Sequence, residues 1–393
     1  MKKVIALMLA VLLVMLAAPS LAEITPILRM GGSFGFGVDA NGVIWGWGDN
    51  RLGQIGFERK ALIGEPVQAA QGLDGREILD IQCGNENSLY LMKDGTVYAS
   101  GTNSHGQLGN AGVQNHTNVP VQVAGLKNIV AIDAGFGQCL ALDAEGHVWA
   151  WGKNNAGQVG DGTRVAKAEP VMLELENIVQ IGCGGKFSIA MDRDGVIYTW
   201  GENDYGQLGF KTRNPFCEAP TALELADWNF VAVTAGGDNA YALDADGHVW
   251  AWGRNELYQC GTDAVGETNY TPVKTMIPDE VRVTNIFAYN SHTMALADNG
   301  DLYLWGNTNS GQNGLGKKPL KSLPMVVMSD VADAQPGSLA CLLMLKDGTV
   351  WGTGLNKYGQ CGVRFSYNRK TMLSEWTYTG LNLNDAIWER PEK

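Results

Sequence analysis

Trp47-Gly48-Asp49-Asn50-Arg51-Leu52-Gly53-Gln54-Ile55-Gly56 is the first of seven copies of one phrase, W-G-x-N-x-x-G-Q-x-G. Its glutamine returns at Gln107, Gln158, Gln207, Gln259, Gln312 and Gln360, in steps of 53, 51, 49, 52, 53 and 48 residues. A period near fifty, held this closely, means one supersecondary unit used seven times.

Outward from the phrase, each unit reads as four short strands. In the third, residues 120–123 are strand a, 128–134 strand b, 138–142 strand c and 148–151 strand d. Glu145-Gly146 makes the c–d hairpin, and Asn41-Gly42, Asp94-Gly95 and Asp194-Gly195 are among its equivalents. Asp-Gly and Asn-Gly suit tight hairpins that need positive φ. One carboxylate per turn falls short of a calcium loop, so no metal is expected. Leu140-Ala141-Leu142 and Val148-Trp149-Ala150-Trp151 are apolar on both faces. Such strands are buried on both faces, as in sheets stacked around an axis.

The expected fold is all-β: a seven-bladed β-propeller of four-stranded antiparallel blades. The ends point to closure. Residues 24–32 align with strand b and have no strand a before them, whereas 371–381 align with strand a and have no strand b, c or d after them. The expectation is that this C-terminal strand joins the N-terminal blade. The organisation reads as an export signal over 1–22, a propeller over 23–381 and a tail over 382–393.

The export signal rests on Lys2 and Lys3, the apolar run 4–18 and the small-residue site Ser20-Leu21-Ala22. This pattern matches a bacterial signal; the alternative is an uncleaved anchor. No second long apolar stretch comes after it, so the expected mature chain is secreted or extracytoplasmic, with no membrane span. Without its two lysines, 27 basic residues stand against 41 acidic ones, a net charge of −14. Such a surface repels phosphate backbones and disfavours nucleic acid. Cys83, Cys183, Cys260 and Cys361 occupy positions where other units have Ala or Leu, which favours buried thiols. Cys217, in a loop, is the one expected to be exposed.

These residues resemble the regulator of chromosome condensation repeat. The fourth unit carries the family phrase best, from Cys183-Gly184 through Ser188 and Asp194-Gly195 to Trp200-Gly201 and Gly206-Gln207-Leu208-Gly209. The resemblance covers roughly residues 24 to 381 and implies a seven-bladed propeller. Ser100 and Thr353 depart from it by replacing the tryptophan, Tyr258 replaces a loop glycine, and Thr308 replaces the asparagine. The family histidine of the b–c turn survives only as His292. Founding members exchange guanine nucleotide with the help of an inserted wedge. Steps of 48 to 53 residues leave no room for one.

Alternating strands sort the turns onto two faces. The b–c turns and long d–a loops share the variable face, where binding on a rigid scaffold usually sits. Its candidate residues are Arg51, Leu52, His105, Phe136, Phe187, Asp204, Tyr205, Leu257, Tyr258, His292, Lys357 and Tyr358. The loops after each G-Q-x-G are basic, holding Arg59, Lys60, Arg164, Lys167, Lys211, Arg213, Lys317, Lys318, Lys321, Arg364, Arg369 and Lys370. A basic rim suits an anionic partner. The repeated Asn and Gln read as scaffold, their amides satisfying loop backbone. No nucleophile with a base stands out, and no cofactor is expected.

The reading is an exported, monomeric, non-enzymatic scaffold that binds a protein or anionic surface polymer through its long-loop face. The alternatives are an enzyme acting on a polysaccharide or peptide at the axial channel, a β-lactamase-inhibitor-like protein, and a nucleotide-exchange factor.

Overall fold

The computed structural model describes residues 25–389 apart from 59–60, 74, 213, 225–227, 267, 317–318, 320 and 365–371. The expected export signal lies outside the described residues, as do Arg59, Lys60, Arg213, Lys317, Lys318, Arg369 and Lys370.

Seven antiparallel sheets succeed one another along the chain, over 27–68, 78–122, 129–172, 178–222, 230–274, 283–328 and 331–388. The described residues contain no helix. The fold is the seven-bladed propeller that the repeat count predicts. In the third blade the strands are Ile129–Ala134, Gln138–Asp143, Val148–Gly152 and Lys167–Met172, hydrogen-bonded in that order. The first of them, strand b, is innermost.

The double-sided apolar strands are buried as expected. Leu140 and Leu142 enter the core shared with the fourth blade, while Cys139 and Ala141 enter the core shared with the second. Every described core cluster joins two neighbouring blades in this way, the seventh and first included.

The phase of the repeat differs from the sequence expectation. Strand a belongs to the blade before it: His116–Gln122 pairs with Val97–Thr102 of the second blade, not with 129–134 of the third. After the d–a loop the chain turns back and meets the open edge of its own strand d first. The short a–b link then carries it inward to the next blade.

Closure is corrected on the same ground. Met372–Asn382 pairs with Thr349–Leu355 of the seventh blade, and the first blade has its own outer strand, Leu62–Gln68. The segment expected as a tail adds a short fifth strand, Ile387–Trp388. Leu383, from the segment expected as a tail, is among the residues that cross the seam. Leu383 N donates to Gly348 O at 2.9 Å, as Ile129 N, at the start of an inner strand, donates to Gly95 O at 3.1 Å. Ala40 N of the first blade then donates to Leu383 O at 2.9 Å, and the leucine side chain is fully buried.

The repeat tryptophan is the clamp between blades. Trp151, Trp200, Trp252 and Trp305 donate Nε1 to the carbonyls of Gln107, Gln158, Gln207 and Gln259 in the preceding blade, at 2.9–3.0 Å. Trp47 does the same across the seam to Gln360 O at 3.2 Å. The two blades that lack this tryptophan use substitutes. Tyr90 Oη bonds Ser100 Oγ at 2.9 Å and lies against Gly56, as the indoles lie against Gly109 and Gly160. In the seventh blade Thr353 Oγ1 donates to Gly311 O at 2.9 Å, and Trp376 from the outer strand lies against Gly314.

All seven cysteines are free and six are buried. Cys217, expected to be exposed in a loop, is instead half-buried in the strand Phe216–Ala222, with its thiol 3.1 Å from Thr221 Oγ1.

Candidate binding face and axial cavity

The long d–a loops are built alike. The repeat glutamine accepts through Oε1 from the amide two residues earlier: Leu52, His105, Ala156, Tyr205, Leu257, Ser310 and Tyr358, at 2.7–3.0 Å. The repeat asparagine accepts through Oδ1 from the amide five residues later, as Asn50 does from Ile55 at 2.9 Å and Asn356 from Cys361 at 3.0 Å. Where Thr308 replaces it, the hydroxyl bonds Ser322 Oγ at 2.8 Å instead. These amides satisfy loop backbone that strands leave unpaired. The glutamine-bonded residue therefore has a fixed backbone and a side chain that differs between blades.

The b–c turns share this face and are linked around the axis. Gly32 N donates to Gly84 O, Asn85 N to Gly135 O, Gly185 N to Gly237 O, Gly237 N to Asn290 O and Ser338 N to Gly32 O. Each bond passes from one blade to a neighbour.

Arg51, His105, Asp204, Leu257 and Lys357 are exposed on this face, and Leu52, Tyr205, Tyr258 and Tyr358 are half-buried. Both Tyr205 and Tyr358 lie under a guanidinium from the next blade. Arg254 is 4.5 Å from the Tyr205 ring centroid and Arg51 is 5.0 Å from that of Tyr358. Asp49 holds Arg51, while Glu256 and Asp238 hold Arg254. Asp49 and Arg51 align with Arg254 and Glu256, so the charges are exchanged but the stack survives. The hydrogen bond that Arg51 donates to Asp49 is the main reason the Arg51 pKa is raised.

Two expected face residues are not there. Phe187 is fully buried in the core between the fourth and fifth blades, because strand c begins at that residue and points it inward. His292 also begins a strand c and is 1% exposed. Phe136 is half-buried and turns toward the axis, where its ring meets Tyr289 of the sixth blade at 5.4 Å between centroids.

The axis holds a site that no sequence motif marks. Inner strands of all seven blades line a cavity of about 400 Å³. Arg29 lies 2.7 Å from Asp80 and 3.7 Å from Asp333, joining the first, second and seventh blades. Asp133 accepts from Ala134 N at 2.8 Å and Cys183 N at 2.7 Å. Burial, with smaller opposing effects from these amides, raises the Asp133 pKa to about 6. Burial likewise raises Asp333, against the pull of Arg29. The usable clue was a charge inside an otherwise apolar strand b, at Arg29, Asp80, Asp133 and Asp333.

A family profile described as the RCC1-like domain matches residues 18–276, and one for the regulator of chromosome condensation repeat matches 283–312. The chain belongs to the RCC1-like family. It is 28% identical to the ultraviolet-B receptor UVR8 of Arabidopsis thaliana over 300 residues, covering 75% of this chain and 67% of that protein. It is 27% identical to protein pim1 of Schizosaccharomyces pombe over 293 residues, covering 70% of this chain and 45% of pim1. A 140-residue match to the human E3 ubiquitin-protein ligase HERC2 is 35% identical and covers 35% of this chain but 3% of the ligase. Human WBSCR16 superposes with a TM-score of 0.70 at 25% identity, covering 81% of this chain and 85% of that one. Yeast RCC1 (Prp20), crystallised with Kap60, has a TM-score of 0.76 at 20% identity, covering 92% of this chain and 88% of that one, which bears on the fold alone.

Two kinds of group in this RCC1-like propeller resemble chemical sites. Asp143, Glu145 and His147 bring possible metal-ligand atoms within 4.8 Å of one another, as do Asp244, Asp246 and His248. In each group the first aspartate is already engaged by the hairpin. Asp143 Oδ1 accepts from the amides of Glu145 and His147, and Oδ2 bonds His147 Nδ1 at 3.2 Å and Trp149 Nε1 at 3.1 Å. Asp244 repeats the pattern with Asp246, His248 and Trp250. The second kind is His292 and Cys341, with Nε2 and Sγ 3.2 Å apart. Burial lowers the histidine to about 4 and raises the thiol well above its ordinary range. Both shifts favour neutral forms, whereas a cysteine nucleophile needs a thiolate.

Proposed function

We propose that this is an exported bacterial binding scaffold, monomeric, non-enzymatic and free of cofactors, that engages a protein partner through its long-loop face. The observation that carries this reading is the repeated glutamine lock. Seven equivalent backbone amides are held alike, while the side chains they carry are Leu52, His105, Ala156, Tyr205, Leu257, Ser310 and Tyr358. A fixed backbone with differing side chains lowers the ordering cost of binding and suits recognition by loops on a rigid scaffold. A protein is favoured over an anionic polymer because several basic loop residues are paired within the rim. Arg164 sits 3.5 Å from Glu218 and Lys321 3.9 Å from Asp263.

The reading as an enzyme at the axial channel draws on Asp80, Asp133 and Asp333. Against it, Arg29 engages two of these carboxylates, and the contact between Phe136 and Tyr289 spans the b–c end of the axis.

The test uses residues 23–393 as bait against the envelope and culture fluid of the source cells, with captured proteins read by mass spectrometry. A control bait carries His105→Ser, Leu257→Ser and Lys357→Ser, three exposed positions on separate blades. A partner held by the wild type and lost by the control supports the reading. A partner held equally by both places the interface elsewhere, and no partner on either bait argues against a protein-binding role.

A further inference from the structure

The axial cavity combines a carboxylate without an ion-pair partner, a wall of mixed polarity and an aromatic pair at one end. Its charged wall comes from the seventh, first, second and third blades, as Asp333, Arg29, Asp80 and Asp133. The guanidinium of Arg29 is shared between Asp80 and Asp333. Asp133 has no ion-pair partner among the described residues, and the bonds it accepts are from two backbone amides. A carboxylate offers about four acceptor positions, so about two remain. A buried charge without a counter-charge is costly. Tyr289 Oη, also at this cavity, is buried and makes no hydrogen bond. The opposite wall is mixed, with Val233, Ile286 and Phe287 beside Gln180 and Thr234.

We propose that the axial cavity binds a small primary amine with a short apolar body, its ammonium group on Asp133. An ammonium has three donors and no acceptor. It would neutralise Asp133, fill its open acceptor positions and give a donor to Tyr289 Oη. The body lies against Ile286 and Phe287. About 400 Å³ falls within the roughly 300–1,000 Å³ range of small-molecule pockets. Phe136 and Tyr289 narrow the b–c end, and the proposed entry is from the a–b end. There Val179 lines the cavity, and Leu79 and Val130 hold the same strand position; the three are 41%, 46% and 49% exposed. The site draws on all seven blades and exists only in the closed ring. It is independent of the long-loop face.

The experiment is calorimetric titration of residues 23–393 at pH 7.5 in an amine-free buffer. The probes are butylamine, 2-phenylethylamine and putrescine, each paired with the matching alcohol. At least one amine is expected to bind at one site per chain, with its alcohol at least tenfold weaker. Asp133→Asn keeps an oxygen acceptor for the backbone amides and is expected to weaken the amine tenfold or more. Thr234→Phe fills the cavity without touching a carboxylate and is expected to abolish binding, which keeps the test decisive if Asp133→Asn fails to fold. No binding by any amine would overturn the proposal, as would equal binding by an alcohol. Unchanged amine binding in Thr234→Phe would assign the amine to the outer surface and overturn it as well.

Discussion

His292 shows how one residue type changes meaning with its position. It is the family's b–c histidine, but strand c begins at it and carries the ring into the core, against Cys341. Burial lowers its pKa from 6.5 to about 4. As pH falls below 6.5, the unfolded chain takes up a proton that the folded chain refuses. Stability is therefore lost between pH 6.5 and about 4, by up to roughly 3 kcal/mol. Asp133 acts in the opposite sense, because its raised folded pKa makes stability fall as pH rises from about 4 to about 6. The wild type is expected to lose more stability on acidification than His292→Gln, measured as urea midpoints from pH 7 to 4.5. Parallel curves would mean that His292 is protonated in the fold. Tyr258 makes the complementary case. It takes φ +65° where the equivalent Gly53 takes +84°, a conformation costly for a side chain by roughly 1–2 kcal/mol. Tyr258→Gly is expected to raise the urea midpoint, by about 1 kcal/mol in free energy after lost packing. A lower midpoint would show that the tyrosine's contacts outweigh its strain.

At the scale of the blade, the two missing tryptophans show what the repeat requires. Five interfaces place an indole N–H on a glutamine carbonyl, and Ser100 and Thr353 remove the residue that does so. The space is filled all the same, by Tyr90 from strand c and Trp376 from the outer strand. Ser100→Trp alone should overpack against Tyr90 and cost about 1–3 kcal/mol. Tyr90→Ala alone should leave a cavity and cost about 3–5 kcal/mol. Together they restore the standard clamp, so the double variant should be more stable than the two losses added, by a coupling of at least about 1 kcal/mol in urea unfolding. Simple additivity would mean that Tyr90 does not stand in for the indole. The sequence makes Ser100 and Thr353 visible as departures. It does not show the replacements, because they come from other strands, where one more aromatic in an apolar run carries no label. Strand count, hairpins and the Asn and Gln locks are legible because each recurs at a fixed offset. The axial charges are not, since Arg29, Asp80, Asp133 and Asp333 are related by rotation about the axis and form no motif along the chain.

At the scale of the whole ring, seven blades were legible but their phase was not. A series of identical units carries no mark of where one ends, and only hydrogen bonding assigns strand a to the blade before it. The closure argument survives this shift on different contacts. The seam between the seventh and first blades is held by Trp47 on Gln360, by Arg29 with Asp333, and by Leu381 and Leu383 in a core with Leu28 and Met30. Because each described core is shared by two neighbours, opening the seam exposes apolar surface on both flanking blades, and no blade keeps a complete core of its own. Leu383→Ala should therefore cost about 3 kcal/mol and still unfold in one transition, with tryptophan fluorescence and circular dichroism coincident. Deleting 371–393 removes the outer strand of the seventh blade, Trp376 and both seam leucines, and should abolish cooperative unfolding. A deletion variant that unfolds at the wild-type midpoint would show that six interfaces suffice and that the seam adds nothing. Two separate transitions in Leu383→Ala would show that the blades near the seam fold independently of the rest.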